Sequence, residues 1–281
     1  MIVPDLMARV TAEAVVPEQV IHYVRAVAGS KPVMVGRCVG FISEADLVLI
    51  GYPVGDPMGS QAMVEAVDEA LHIPGLSRIT VMGPMLPPQA PTQLPAAEDF
   101  YYSLPLPPPP PGQKLRNMLR RARRDLVIEK GHRMEEDHTD LVRRFLGERP
   151  LAPGTRHILE KIPEYLAASP SSLTLSARLS DGRLAAFAVG EFSPLRTAFF
   201  MFCFREPGLA PPGSADLLLS GLLDEAVHRG QTHMNLGLGI NDGIRFFKSK
   251  WGAAPFLPYV QVSWEPRSPG IVSRIRAAFK R

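Results

Sequence analysis

Short apolar runs and longer amphipathic stretches alternate along this chain, and their order predicts most of its elements. Residues 33–39 and 47–52 read as strands around a turn, Ser60–Leu71 as a helix and residues 79–82 as another strand. From Gln113 to about Arg124, Leu115, Met118, Leu119, Ala122 and Leu126 share one helical stripe. A short strand near residues 126–129 and helical segments through Ala168 follow. Residues 173–179, 184–192 and 197–204 read as an antiparallel meander with a turn at Asp181-Gly182. Residues 213–229 form an amphipathic helix closed by Gly230, before a strand at His233–Leu238, a helix at 242–251 and a last strand at 256–264.

Prolines concentrate between Pro87 and Pro111, ending in an unbroken run from Pro107. Proline lacks the N–H that strands and helices need, so the stretch reads as a semi-rigid linker, with a ligand for a proline-binding groove as the alternative. The expected organisation is an N-terminal lobe at 1–86, a linker at 87–111, a larger domain at 112–266 and a basic amphipathic tail at 267–281.

The chain has 281 residues, 46% of them hydrophobic, enough for two modest cores. With 31 Lys and Arg against 28 Asp and Glu, bulk charge names no partner, and any basic function must come from local clustering. Two cysteines, Cys38 and Cys203, exclude a disulfide framework and a four-cysteine metal site, and point to a reducing cytoplasm. No run approaches the roughly 18 apolar residues that cross a bilayer, so a soluble or peripheral protein is expected.

The segments 114–131 (KLRNMLRRARRDLVIEKG), 207–230 (PGLAPPGSADLLLSGLLDEAVHRG) and 234–253 (MNLGLGINDGIRFFKSKWGA) carry a resemblance. They resemble the opening helix and strand, the donor loop and helix, and the lysine-bearing helix of GNAT-type N-acyltransferases, in the branch of the Fem-type aminoacyl transferases and related double-lobed acyltransferases. The resemblance implies a GNAT-like α/β (α+β) fold, a mixed and mostly antiparallel sheet flanked by helices. It makes the smaller N-terminal lobe a candidate degenerate copy of the same fold.

It also implies a donor site. The family's loop pattern is met by Arg205, Gly208 and Ala210, leading to a helix start at Gly213, Ser214 and Ala215. Exposed amides at a helix N-terminus suit the pyrophosphate of an acyl-coenzyme A. A main-chain amide near Phe204 would hold the donor carbonyl. By the same resemblance Lys248 stabilises negative charge developing during transfer. Glu191 is the first candidate general base, with Asp242 second and His233 third. Gly237, Gly239 and Gly243 do not have dinucleotide spacing and read as turn residues.

The helix from Lys114 holds six basic residues and no acid up to Arg124, and its Arg116, Arg120 and Arg124 are candidates to hold a phosphorylated acceptor or an RNA backbone. The tail is a candidate for peripheral contact with an anionic membrane, or for packing on its own domain. Metal catalysis is disfavoured, because the charged stretch containing His132 and His138 has no second cluster to answer it. A serine hydrolase lacks its G-x-S-x-G. The leading reading is therefore an acyltransferase moving an acyl group from acyl-coenzyme A or a carrier to a small-molecule or peptide amine. The alternatives are an aminoacyl-tRNA-dependent transferase acting on an envelope precursor or lipid, and a silent GNAT-like binding module. An open cleft between the fourth and fifth strands, ending near Lys248, would favour either enzyme.

Overall fold

The computed structural model describes residues 4–266, so the basic tail from 267 lies outside the described residues. The chain divides into two compact units, and these interleave in sequence rather than falling either side of the proline-rich stretch. Of the described residues, 31–98 and 259–266 form the first unit, and 4–30 and 99–258 the second. The chain opens with α1 (Pro4–Ala12), a 3-10 turn (Pro17–Gln19) and α2 (Ile21–Ala28), all in the second unit. This region was not assigned from the sequence; α2 is only two turns long and ends at Gly29, whose left-handed φ of 62° breaks it.

In the first unit β1 (Lys31–Val35), β2 (Cys38–Ser43) and β3 (Asp46–Ile50) form an antiparallel trio. The expected single strand at 33–39 is thus broken by a tight turn, at Gly36 with φ 53°. Helix α3 (Ser60–Leu71) then leads to β4 (Arg78–Gly83), which runs parallel to β3 over five residue pairs, Asp46–Arg78 to Ile50–Met82. Gly51 N–H extends that ladder by donating to Met82 O at 2.6 Å. Ala66, Val67 and Ala70 of α3 pack on Leu47, Leu49, Ile79 and Val81 to form this unit's core, with Val262 and Trp264 of the last strand.

In the second unit β5 (Ala97–Pro105), α4 (Gln113–Asp125), β6 (Val127–Gly131), α5 (Glu136–Gly147), α6 (Pro153–Glu160) and α7 (Ile162–Ala168) precede the meander of β7 (Ser172–Arg178), β8 (Leu184–Glu191) and β9 (Thr197–Arg205). Helix α8 (Ser214–His228), β10 (His233–Leu238) and α9 (Asp242–Ser249) follow, and β11 (Ala254–Trp264) leads back to the first unit, where it pairs with β4. Strand β5 corrects the reading of 87–111 as a linker: 97–105 holds one proline, at its end, so its N–H groups are free to pair, and Tyr101 to Pro105 align with β10.

The strand order here is β5-β10-β9-β8-β7-β6, mixed and mostly antiparallel. One face is covered by α4 and α8, whose Leu115, Leu119, Leu218, Leu219 and Leu222 pack on Leu175, Ala186, Ala188 and Ala198. The other is covered by α2, α5 and α7, through Val27, Leu141, Leu146 and Tyr165 on Phe187, Val189 and Phe204. Both units therefore repeat one sequence of elements, an antiparallel trio, a helix, and a strand returning parallel to the third.

Candidate functional site

The two parallel pairs differ where it matters. In the first unit β3 and β4 stay zipped, and the Met63 side chain fills the space beside Gly51 and Gly83, where an added Cβ would meet its sulfur at 3.0 and 2.9 Å. In the second unit β9 and β10 pair at only three positions, His233–Thr197, Met234–Ala198 and Asn235–Phe199. Strand β9 continues six residues further, to Arg205, with no ladder partner on β10 among the described residues.

Bulges mark the parting on both strands. On β9, Phe200 faces Gly190 and Phe202 faces Val189, which leaves Met201 as an extra residue. On β10 the register with β5 shifts between Asn235–Ser103 and Leu238–Tyr101, and Gly237 takes φ 79°, a conformation open to glycine. Asn235 ties the bend, its Oδ1 accepting from Gly237 N–H at 2.7 Å. Gly237 thus bends a strand, whereas a turn was expected from the sequence.

Lys248 reaches this bend from α9. Its Nζ donates to Gly237 O at 2.7 Å and Leu238 O at 2.5 Å and stands 5.3 Å from the centre of the Tyr102 ring. The residue is only 3% exposed. Burial lowers its pKa from 10.5 to about 7, against a weaker opposing pull from Asp99. Two carbonyls occupy two valences of the nitrogen, leaving the third as a proton or a lone pair. Such a group can stabilise charge or exchange a proton near neutrality.

The other expected bases are placed differently. Glu191 is fully buried at the end of β8, and its carboxylate accepts five hydrogen bonds. They come from His22 Nε2 at 3.1 Å, the hydroxyls of Tyr165 and Ser169 at 2.7 Å each, and the N–H groups of Phe192 and Ser193 at 3.0 and 2.8 Å. Burial opposes its ionisation, but His22 and the hydroxyls outweigh it and hold the pKa at about 2. A carboxylate so tied is an anchor for α2, α7 and β8, which corrects its assignment as a base. Asp242 is fully exposed in the first turn of α9 and pairs with Arg245 at 3.1 Å. His233 bonds Thr197 Oγ1 at 2.9 Å at the closed end of the β9–β10 pair, and burial lowers its pKa.

The expected donor loop lies between β9 and α8. Phe204 is a core side chain, stacked on Phe187 at 5.0 Å between ring centres. Arg205 is exposed at the end of β9 and Gly208 makes the turn with φ 74°. Leu209 and Ala210 N–H both bond Glu206 O, Ser214 N–H bonds Pro211 O, and Pro211 and Pro212 have no N–H. Among the described residues the N–H groups of Gly208, Gly213, Ala215 and Asp216 have no recorded acceptor. Gly213, at φ 90°, lies so close to α4 that an added Cβ would meet Met118 Cγ at 2.7 Å. Ser214, the first residue of α8, donates its Oγ hydrogen to Pro211 O at 2.6 Å, and Ala215 follows it in the first turn. In that first turn Asp216 is buried and accepts from Trp251 Nε1 and Lys250 Nζ, each at 2.8 Å. This carboxylate at the helix start, complementary to the helix dipole, was not anticipated from the sequence.

Beside α4 lies a cavity of about 460 Å³, lined by Arg116, Arg120 and Arg123 with Pro109, Leu223 and Trp251. Spacings of four and three residues put those arginines on one stripe, and Arg124, also expected as a phosphate ligand, is not among the lining residues. Among the described residues no carboxylate is recorded in an ion pair with any basic residue of α4. Elsewhere, Glu135, Asp137 and His138 bring ligand atoms within 4.8 Å of one another. Arg178 pairs with both acids through Glu135 Oε2 and Asp137 Oδ2, and His138 Nδ1 accepts from Glu135 N–H, while Asp137 Oδ1 is buried without a hydrogen bond.

No protein-family model matches the sequence, and no curated protein matches it. Solved structures do match. FemX aligns with 92% of this chain and 96% of its own, at a TM-score of 0.61 and 10% identity. L-PGS from Bacillus licheniformis aligns with 94% of this chain and 96% of its own, at 0.56 and 15%. A GCN5-related N-acetyltransferase from Kribbella flavida covers 95% and 98%, at 0.51 and 13%. The fold is a double-lobed GNAT-like fold. After Asn235–Phe199 the described β9 and β10 residues no longer pair, which leaves a gap in the ladder of the second lobe. The first lobe keeps the topology without the gap.

Proposed function

We propose that this chain is an acyl transferase whose second lobe passes an acyl group across the β9–β10 gap to an amine or hydroxyl acceptor, with an aminoacyl-tRNA ester as donor. The observation that carries it is the end of the β9–β10 ladder after three residue pairs, beside the buried amine of Lys248. The zipped pair in the first unit makes the contrast.

In this reading the acceptor lone pair attacks the donor carbonyl carbon, and main-chain amides of β9 beyond Phe199 receive the oxyanion. Lys248 supplies the neighbouring positive charge. The departing ribose oxygen takes a proton from the Lys248 ammonium. Arg116, Arg120 and Arg123 hold donor phosphates as point charges and forks. The GNAT-like relatives FemX and L-PGS support the aminoacyl branch as an analogy of fold.

A second reading, acyl-coenzyme A as donor, is favoured by the Arg205, Gly208 and Ala210 pattern. Pro211 and Pro212, which interrupt the loop and lack N–H groups, weigh against it. Purified protein is offered radiolabelled aminoacyl-tRNA or acetyl-coenzyme A with an amine acceptor. Transfer from the tRNA ester that is lost in K248M is the expected result. Transfer from acetyl-coenzyme A alone reverses the order of the two donors, and transfer from neither rejects the transferase reading.

A further inference from the structure

We propose that Glu18, on the 3-10 turn before α2, is the general base that takes the acceptor's proton during transfer. The inference rests on the transferase reading and names a residue that no sequence motif indicated. Three observations carry it.

The first is placement. Tyr101 and Tyr102 are consecutive on β5, so their side chains project from opposite faces of the sheet. Tyr101 OH donates to Glu18 Oε2 at 2.8 Å, while the Tyr102 ring lies beside Lys248 Nζ. Glu18 and Lys248 therefore stand at one position along β5 on its two faces. Tyr101 pairs with Leu238, whose carbonyl Lys248 holds.

The second is attachment to the gap. Asn235 is the last residue of β10 to pair with β9, and its Nδ2 donates to Val15 O at 2.9 Å. Gln19 Oε1 accepts from Val15 N–H at 2.9 Å and closes the turn. The segment carrying Glu18 is thus pinned to the point where the strands part.

The third is an unbalanced carboxyl. Glu18 is half-buried, and among the described residues it has no recorded cationic partner, whereas Glu191 is saturated by five donors. Burial raises the Glu18 pKa, with its backbone N–H and Tyr101 opposing. A desolvated acid without a countercharge costs stability, and such groups concentrate where proton transfer is needed. Here the acceptor's N–H or O–H proton moves to the Glu18 carboxylate as the new C–N or C–O bond forms. The donor ester's C–O bond breaks, its oxygen takes the Lys248 proton, and both groups re-equilibrate with solvent.

The test is transfer by full-length E18Q, which retains an oxygen for Tyr101 OH, measured from pH 5 to 9. The expected result is a fall in kcat of roughly 10²–10⁴-fold with donor KM unchanged, and loss of the acidic limb of the profile. E18D should keep that limb. E18Q turnover within threefold of wild type with the limb intact overturns the assignment and leaves the transferase reading standing. A wild-type protein that transfers from neither donor overturns both. Should E18Q melt early, Y101F decides: losing the hydroxyl that favours the carboxylate moves the acidic limb to higher pH, and an unmoved limb overturns the proposal.

Discussion

Replacing Lys248 by Met should remove a specific pH dependence from the protein's stability. The amine titrates near 10.5 when unfolded and near 7 in place, because burial disfavours its charge. The folded state then binds fewer protons, so stability from this group rises with pH between those values, and its full penalty is present below 7. A fall of roughly 3.5 in pKa sets that penalty at about 5 kcal/mol. Linkage returns about 2 kcal/mol of it between pH 7 and 9. Met also leaves the carbonyls of Gly237 and Leu238 without their donor, which costs roughly 1–3 kcal/mol but does not vary with pH. Comparing the two proteins by urea unfolding at pH 7 and 9 cancels that constant part. Wild type should gain about 2 kcal/mol relative to K248M over the interval. Parallel pH dependence would refute the buried, weakly basic amine on which the chemistry depends.

Three further outcomes follow from the same geometry. E191A should lose about 3–5 kcal/mol of stability, seen as a lower Tm, because five donors lose a buried acceptor. The stability that Glu191 contributes is present above pH 4.5 and should fade as the pH falls towards about 2, while E191Q should lack that acid transition. Charge reversal of Arg116, Arg120 and Arg123 together should raise donor KM at least tenfold and flatten its salt dependence with kcat within threefold; an unchanged KM would exclude the α4 cavity as a phosphate site. D216N should lower Tm by removing the charge that Lys250 and Trp251 share, by about 1–3 kcal/mol as read in thermal melts.

The second unit was largely legible because its helices and strands are long and their apolar periods distinct. The stripe through Leu115, Leu119 and Ala122 fixed α4, and the apolar run at β8 declared a strand buried on both faces. The N-terminal helices escaped because they are short and their burial depends on partners 170 to 220 residues away, such as Asn235 and Glu191. For the same reason Glu18 carried no local signal, since its meaning comes from Tyr101, a strand neighbour 83 residues distant. Glu191 misled in the opposite way: a carboxylate in an apolar strand looks poised for chemistry until its five donors are visible. That Arg123 lines the α4 cavity with Arg116 and Arg120 is a matter of phase, which a count of spacings alone could have given. The signal for the β10 bend was Gly237, legible as a glycine that needs positive φ but not as a bulge.

Single-turnover transfer from labelled aminoacyl-tRNA decides whether acyl groups pass across the β9–β10 gap. Wild-type protein should move the label to an amine or hydroxyl acceptor, and K248M should be slowed at least 100-fold while still folded. Label that remains on tRNA, and on acetyl-coenzyme A in the parallel reaction, would contradict such transfer and leave the gap as part of a binding module.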